Sequence, residues 1–172
     1  MKKFSVRDLI LIALFAALLA VLSQLAIPLP SGVPITLQTF AVALCGFTLG
    51  TKKGAIAVVV YLLLGAIGLP VFSHFMGGIG IFAGVTGGFL WGFIILAALC
   101  GTQKLYWAAL GLVLCHLLGT IQFSIVAGMT FTQSFLLSSA PFLIKDGISV
   151  VLAMFVSRAI QKGLAAARLA SR

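Results

Sequence analysis

Long apolar runs separated by short connectors constrain this chain more than any motif does. They cover residues 9–27, 35–49, 55–69, 82–100, 105–127 and 141–160. A helical membrane span needs about 20 apolar residues, with a lower limit near 17. Six such runs nearly fill 172 residues and leave little chain for a soluble domain. Apolar residues make up 62% of the sequence and charged residues 8%, too little polar surface to cover a soluble globule of this size. The expected fold class is therefore an all-α membrane protein with six transmembrane helices. Residues 1–172 are read as a single integral membrane domain.

The basic residues give this arrangement a direction. Lys2, Lys3, Arg7, Lys52, Lys53, Lys104, Arg158, Lys162, Arg168 and Arg172 fall, by alternation of the six runs, on one side of the membrane. Lys145 is the exception among eleven basic residues. Because Lys and Arg are retained on the cytoplasmic side during insertion, the N and C termini are both expected to be cytoplasmic. A basic start before an apolar run resembles a signal peptide, but a run of 19 residues ending in PLPSGVP is too long for a signal core and is read as a retained helix. The net charge of +9 does not imply nucleic acid, because the basic residues stand between hydrophobic runs and form no basic face on a soluble scaffold. The expected surroundings are a lipid bilayer, with no nucleic-acid partner.

Two features qualify the simple bundle. The second and third runs, about 15 residues each, reach only about 22 Å at 1.5 Å per residue, short of a hydrocarbon core of about 30 Å. They are expected to pack inside the bundle or extend into partly buried loops. Residues 65–92 hold nine of the nineteen glycines, which points to irregular backbone lining a cavity.

Acidic residues are scarce: Asp8 and Asp146 are the whole set. Paired-carboxylate catalysis is thereby excluded, and no GxxxxGK[ST], HExxH or strand-to-helix GxSxG motif occurs. The sequence reads as neither an enzyme nor an ATPase, with no catalytic residues, no metal and no cofactor. Cys45, Cys100 and Cys115 lie in or at the end of apolar runs without ligand spacing and read as small core hydrophobes. His74 and His116 also lack ligand spacing and are assigned structural roles, and Tyr61, Trp91 and Trp107 packing or interface roles.

Lys145 and Asp146 carry the strongest internal signal, since ionisable groups at membrane depth are costly and face a cavity or a partner. Adjacent helical residues point about 100° apart, so each is expected to find its partner elsewhere: another helix, water or a ligand. The competing reading is snorkelling or capping at the outer headgroup level after Pro141. Thr36 and Gln38, within PITLQTF at 34–40, reach one side of an extended backbone, although capping explains their spacing nearly as well. In GGIGIFAGVTGG at 77–88, Gly77, Gly78, Thr86 and Gly87 are candidates for close backbone approach to a ligand. The alternative for that run is close helix packing, with Gly84, Gly88 and Gly92 four apart. In the first run, Ala13 with Ala17 and Ala16 with Ala20 form two small-residue pairs on which a partner helix can pack.

These segments together resemble the BioY family, the biotin-binding S components of energy-coupling factor transporters. The resemblance spans almost the whole chain and rests on PITLQTF at 34–40, YLLLGAIGLPVF at 61–72, the glycine run ending in TGG at 86–88, PFLIKD at 141–146 and the alanine pattern. It implies a six-helix S-component fold that captures biotin from outside and works with a transmembrane coupling subunit and two ATPase subunits. It places the ligand among Asp146, Lys145, Thr36, Gln38 and the 77–88 stretch, and the coupling subunit on Ala13 and Ala17, with Ala16 and Ala20 beside them. Asp146 would accept from the ureido N–H groups, and Lys145 or backbone N–H groups would meet a ligand oxygen. Two positions depart from the usual family pattern: the lysine precedes the aspartate, with Ser149 three residues after it, and Val85 stands where relatives carry proline or arginine. No arginine lies between Arg7 and Arg158.

Other readings are an S component for another vitamin, a self-contained carrier or channel, and a scaffold subunit without a ligand. A carrier is expected to show coupling-ion acids or inverted repeats, and one buried aspartate is meagre for that. Ligand binding by the isolated chain separates a capture subunit from a scaffold.

Overall fold

The computed structural model describes residues 4–30 and 32–170. Lys2, Lys3 and Arg172, counted above for orientation, lie outside the described residues, as does the side chain of Arg168. Within the described residues the chain forms eight α-helices and one two-stranded hairpin. Helix α1 (Val6–Ser23) is followed by β1 (Ala26–Ile27), β2 (Ile35–Thr36), α2 (Gln38–Leu49) and α3 (Thr51–Ala66). A 3₁₀ turn at Ser73–Phe75 leads to α4 (Gly80–Ala83), α5 (Gly87–Cys100), α6 (Leu105–Ala127), α7 (Phe131–Ser138) and α8 (Leu143–Ala170).

Helix α1 starts where a capping box predicts. Ser5 Oγ accepts from the Asp8 N–H and Asp8 Oδ2 from the Ser5 N–H, both at 3.2 Å. The other Asp8 oxygen meets Lys53 Nζ at 2.5 Å, tying α1 to the start of α3. Gln103 and Gln161 both donate to the Phe47 carbonyl, at 2.5 and 2.7 Å, so the basic connectors near residues 52 and 104 and the middle of α8 meet at this end of the bundle. The hairpin, the 67–86 connector and the α7–α8 junction occupy the other end, with Lys145 among them.

Helix α2 is central. It packs against α1, α3, α5 and α8, and every residue from Ala41 to Phe47 is buried. A helix apolar all round is stable when enclosed by others, which explains why 12 residues suffice. It turns directly into α3 through Gly50, whose φ of +82° suits glycine, and Gly54 lies so close to Gly46 that a Cβ would stand 2.7 Å from its Cα. Helix α5 lies along α6 by the same device: a Cβ on Gly88 would stand 2.2 Å from the Leu118 carbonyl, and one on Gly92 2.6 Å from Cys115 Cα. The packing reading of the glycine run holds for these two positions.

Helices α1 and α6 are long and apolar enough to cross a membrane, and α7 with α8, bent by 53° at their junction, makes a third candidate. The elements differ from the apolar runs at several ends. The first run stops at Ser23, because Ala26 and Ile27 pair with Thr36 and Ile35 in the hairpin. The fourth divides into the short α4 and α5, which begins at Gly87, and Gln122 Nε2 donates to the carbonyls of Phe82 and Gly84 at 2.6 and 2.9 Å across the break between them. Residues 128–140, expected as a loop, contain α7 with its own Thr130–Gln133 capping box.

Candidate functional site

The hairpin, the 67–86 connector, the start of α2, α5, α6 and the start of α8 border a cavity of about 500 Å³ with mostly apolar walls. Its size falls within the range of small-molecule pockets, and Phe72, Phe89, Phe93 and Phe142 supply aromatic surface. Against that surface stand few polar groups, and four of them, Thr36, His116, Lys145 and Asp146, meet at the first turn of α8.

Asp146 is 5% exposed and Lys145 is partly exposed. The sequence reading held these neighbours poorly placed to pair, yet Lys145 Nζ lies 2.5 Å from Asp146 Oδ1. The four-carbon lysine stem bends back across the angle between their Cβ directions. The contact is an ion pair by distance without hydrogen-bond alignment, since Oδ1 accepts no hydrogen bond by geometry. Each residue also has the partner from another element that was expected. Lys145 Nζ donates to the Thr36 carbonyl at 2.8 Å, and Asp146 Oδ2 lies 3.3 Å from His116 Nε2 on α6.

Thr36 and Gln38 line the same cavity and also have local tasks. Thr36 Oγ1 accepts from the Gln38 N–H at 3.2 Å in a turn just before α2, whose N-cap residue, Leu37, has no side-chain cap. Gln38 Nε2 donates to the fully buried Tyr61 hydroxyl at 2.6 Å, which fixes its amide. Thr86 lines the cavity as well.

Gly77, Gly78 and Gly87 do not line it. The Gly78 N–H donates to the Gly65 carbonyl at 2.7 Å, and Gly77 presses on the Leu69 carbonyl. Gly87 abuts the Phe82 carbonyl and the Gln122 amide. From the same run, Gly80 and Gly84 border the cavity instead.

The alanine pairs also divide. Ala13 and Ala17 are exposed on α1, whereas Ala16 is 1% exposed and Ala20 is half-buried against the core. Ala16 therefore cannot present an outer surface, because its Cβ faces the enclosed side of the helix. Cys45, Cys100 and Cys115 are buried and free, and Cys115 also borders the cavity.

His116 is the residue the sequence reading underrated. It is 5% exposed, lines the cavity, and joins Asp146 on one ring nitrogen and Ser139 on the other. The available signal was its scarcity: a histidine within an apolar 23-residue helix is as costly a placement as the one that drew notice to Asp146.

The sequence profile of the BioY family matches residues 1–166. A biotin transporter BioY of Rhizobium etli is 41% identical over 180 residues, covering 92% of this chain and 95% of the relative. A probable biotin transporter BioY of Pyrococcus horikoshii is 33% identical, covering 90% and 96%. Among solved structures, the crystal structure of the S-component for biotin from an ECF-type ABC transporter superposes with a TM-score of 0.83 at 29% identity, covering 91% of this chain and 92% of the other. With a family profile over residues 1–166 and relatives covered nearly completely in both directions, the chain belongs to the BioY family.

Proposed function

We propose that this protein is the biotin-capturing S component of an energy-coupling factor transporter. The observation that carries the reading is the near-complete likeness to a solved biotin S-component, together with a mostly apolar cavity that has Asp146, Lys145 and His116 on one wall. Biotin suits that asymmetry. Its ureido ring presents two N–H donors and one acceptor, its bicycle is apolar, and its tail is anionic. In the proposed mode Asp146 accepts from the ureido N–H groups, Lys145 meets a ligand oxygen, and Thr36, Gln38 and Thr86 border the ring. Gly80 and Gly84 take the place of Gly77, Gly78 and Gly87 as the backbone nearest the ligand.

The chain forms a single integral domain with six spans in the bacterial cytoplasmic membrane, both termini inside. The gathering of Lys53, Gln103 and Gln161 at the end opposite Lys145 supports this orientation. It is no enzyme: a transmembrane coupling subunit and two ATPase subunits supply the energy, and the outward Ala13–Ala17 face of α1 receives the coupling subunit. Calorimetry on the purified chain, titrating biotin, thiamine, riboflavin and pantothenate, tests the substrate. Heat with biotin alone is expected; a signal with another vitamin and none with biotin would replace the assignment.

A further inference from the structure

Helix α6 carries a chain of polar contacts that ends on Asp146. Thr120 Oγ1 lies 2.8 Å from Ser139 Oγ, and Ser139 Oγ lies 3.1 Å from His116 Nδ1. His116 Nε2 lies 3.3 Å from Asp146 Oδ2. Thr120 and Ser139 are fully buried, and His116 and Asp146 are each 5% exposed. Ser139 reaches the ring because the chain breaks between α7 and α8. Its N–H still donates to the Phe135 carbonyl while its own carbonyl receives the N–H groups of Phe142 and Leu143. The Phe89 ring meets the imidazole edge-on at 5.8 Å and 87°, which fixes the plane of the histidine.

Donor and acceptor counting gives the chain one direction. An ionised carboxylate only accepts, so a bond to Oδ2 requires the proton on Nε2. Nδ1 of that tautomer is an acceptor and takes the Ser139 hydroxyl proton, and Ser139 Oγ in turn accepts from Thr120. The His116 carbonyl, 3.4 Å from Ser139 Oγ, is the longer alternative for that proton. Lys145, on the same turn as Asp146, faces the other carboxylate oxygen, Oδ1.

We propose that His116 is the positioning residue of the cavity: held by Ser139 and Thr120, it faces Asp146 Oδ2 while Lys145 faces Oδ1, and it thereby fixes the carboxylate that accepts from a ligand N–H. With the Lys145 ammonium on Oδ1, His116 is the contact that sets the other oxygen and hence the plane of the carboxylate. The inference rests on the biotin reading for the identity of that donor, a ureido N–H, but not for the arrangement of the histidine.

The test uses the full chain in detergent, with biotin affinity and thermal midpoint measured for the wild type, His116→Gln and His116→Leu. Gln can return an N–H near the place of ring Nε2, whereas Leu fills space without one. Leu is expected to weaken biotin binding roughly 10-fold or more, and Gln to stay within roughly 3-fold of the wild type. In parallel, the ring-nitrogen signals of ¹⁵N-histidine-labelled, ligand-free protein report the tautomer, expected as Nε2–H at His116. Ser139→Ala is expected to move part of that proton to Nδ1. Wild-type affinity in His116→Leu, an equal loss in both variants, or an Nδ1–H tautomer in the wild type would overturn the proposal. Absence of biotin heat with wild-type protein refutes the biotin reading by itself, and the tautomer experiment still decides the role of His116.

Discussion

Lys145 Nζ donates to the Thr36 carbonyl at 2.8 Å, joining the last helix to the hairpin that closes one side of the cavity. The same ammonium lies beside Asp146 Oδ1. One cation thus holds a wall of the cavity and offsets the charge of its buried carboxylate.

Replacing it should therefore affect both binding and folding. Lys145→Met keeps most of the apolar stem and removes the charge. A charge-assisted hydrogen bond is worth about 1.5–3 kcal/mol, so biotin affinity is expected to fall by about one to two orders of magnitude. The thermal midpoint should fall as well, because the buried carboxylate of Asp146 loses its neighbouring cation. Calorimetry and thermal unfolding of the purified variant check the two effects. Full affinity with a lowered midpoint would make Lys145 a strut only.

Asp146→Asn separates charge from shape. The amide retains one acceptor oxygen and loses the negative charge that faces Lys145 and the ureido group in the proposed mode. Biotin binding is expected to weaken by about one to two orders of magnitude, the equivalent of about 1.5–3 kcal/mol. Unchanged affinity in the same calorimetric titration would remove Asp146 from the ligand site.

Local signals were legible in the sequence, and contacts distant along the chain were not. Ser5 and Asp8 announce the start of α1 as a capping box, and the one-sided basic connectors meet at one end of the bundle. Thr130 and Gln133 carry the same capping signature at the start of α7, but that helix has only eight residues, half of them polar, and shows no apolar period in the sequence. Gly88 and Gly92 were weighed correctly as packing positions because their spacing matches a helix face. Gly77 and Gly78 could not be placed that way, since their orientation depends on where the connector folds back on Gly65 and Leu69. His116 had no spacing signal because its partners, Ser139 and Asp146, come from a different part of the chain, the segment from the α7–α8 break to the first turn of α8.

The close approach of α5 and α6 makes two glycines unequal. A Cβ at Gly88 would stand 2.2 Å from the Leu118 carbonyl, a backbone atom that moves only with its helix. Gly163 in α8 has open space around it. Gly88→Ala is expected to destabilise by about 1–3 kcal/mol through overpacking. Gly163→Ala is expected to be neutral or to stabilise by up to about 1 kcal/mol through helix propensity. Thermal unfolding in one detergent compares them directly, and equal midpoints would mean that α5 and α6 are less tightly joined than these contacts require.

Two neighbouring alanines of α1 test the docking surface. Ala16 is 1% exposed, so Ala16→Leu should force extra volume into the core and lower stability, at a cost of about 1–3 kcal/mol. Ala17 is exposed, and Ala17→Leu should leave the fold and biotin affinity intact. If the coupling subunit packs on Ala13 and Ala17, the larger side chain keeps its helix from close approach, because small residues are what allow two helix backbones to near each other in lipid. A pull-down of the coupling subunit and ATPases with tagged Ala17→Leu is expected to recover much less complex than with the wild type, while calorimetry shows unchanged biotin binding. Recovery of the complex at wild-type yield would move the docking surface to another face, whereas loss of biotin binding together with the complex would mean that Ala17 supports the fold.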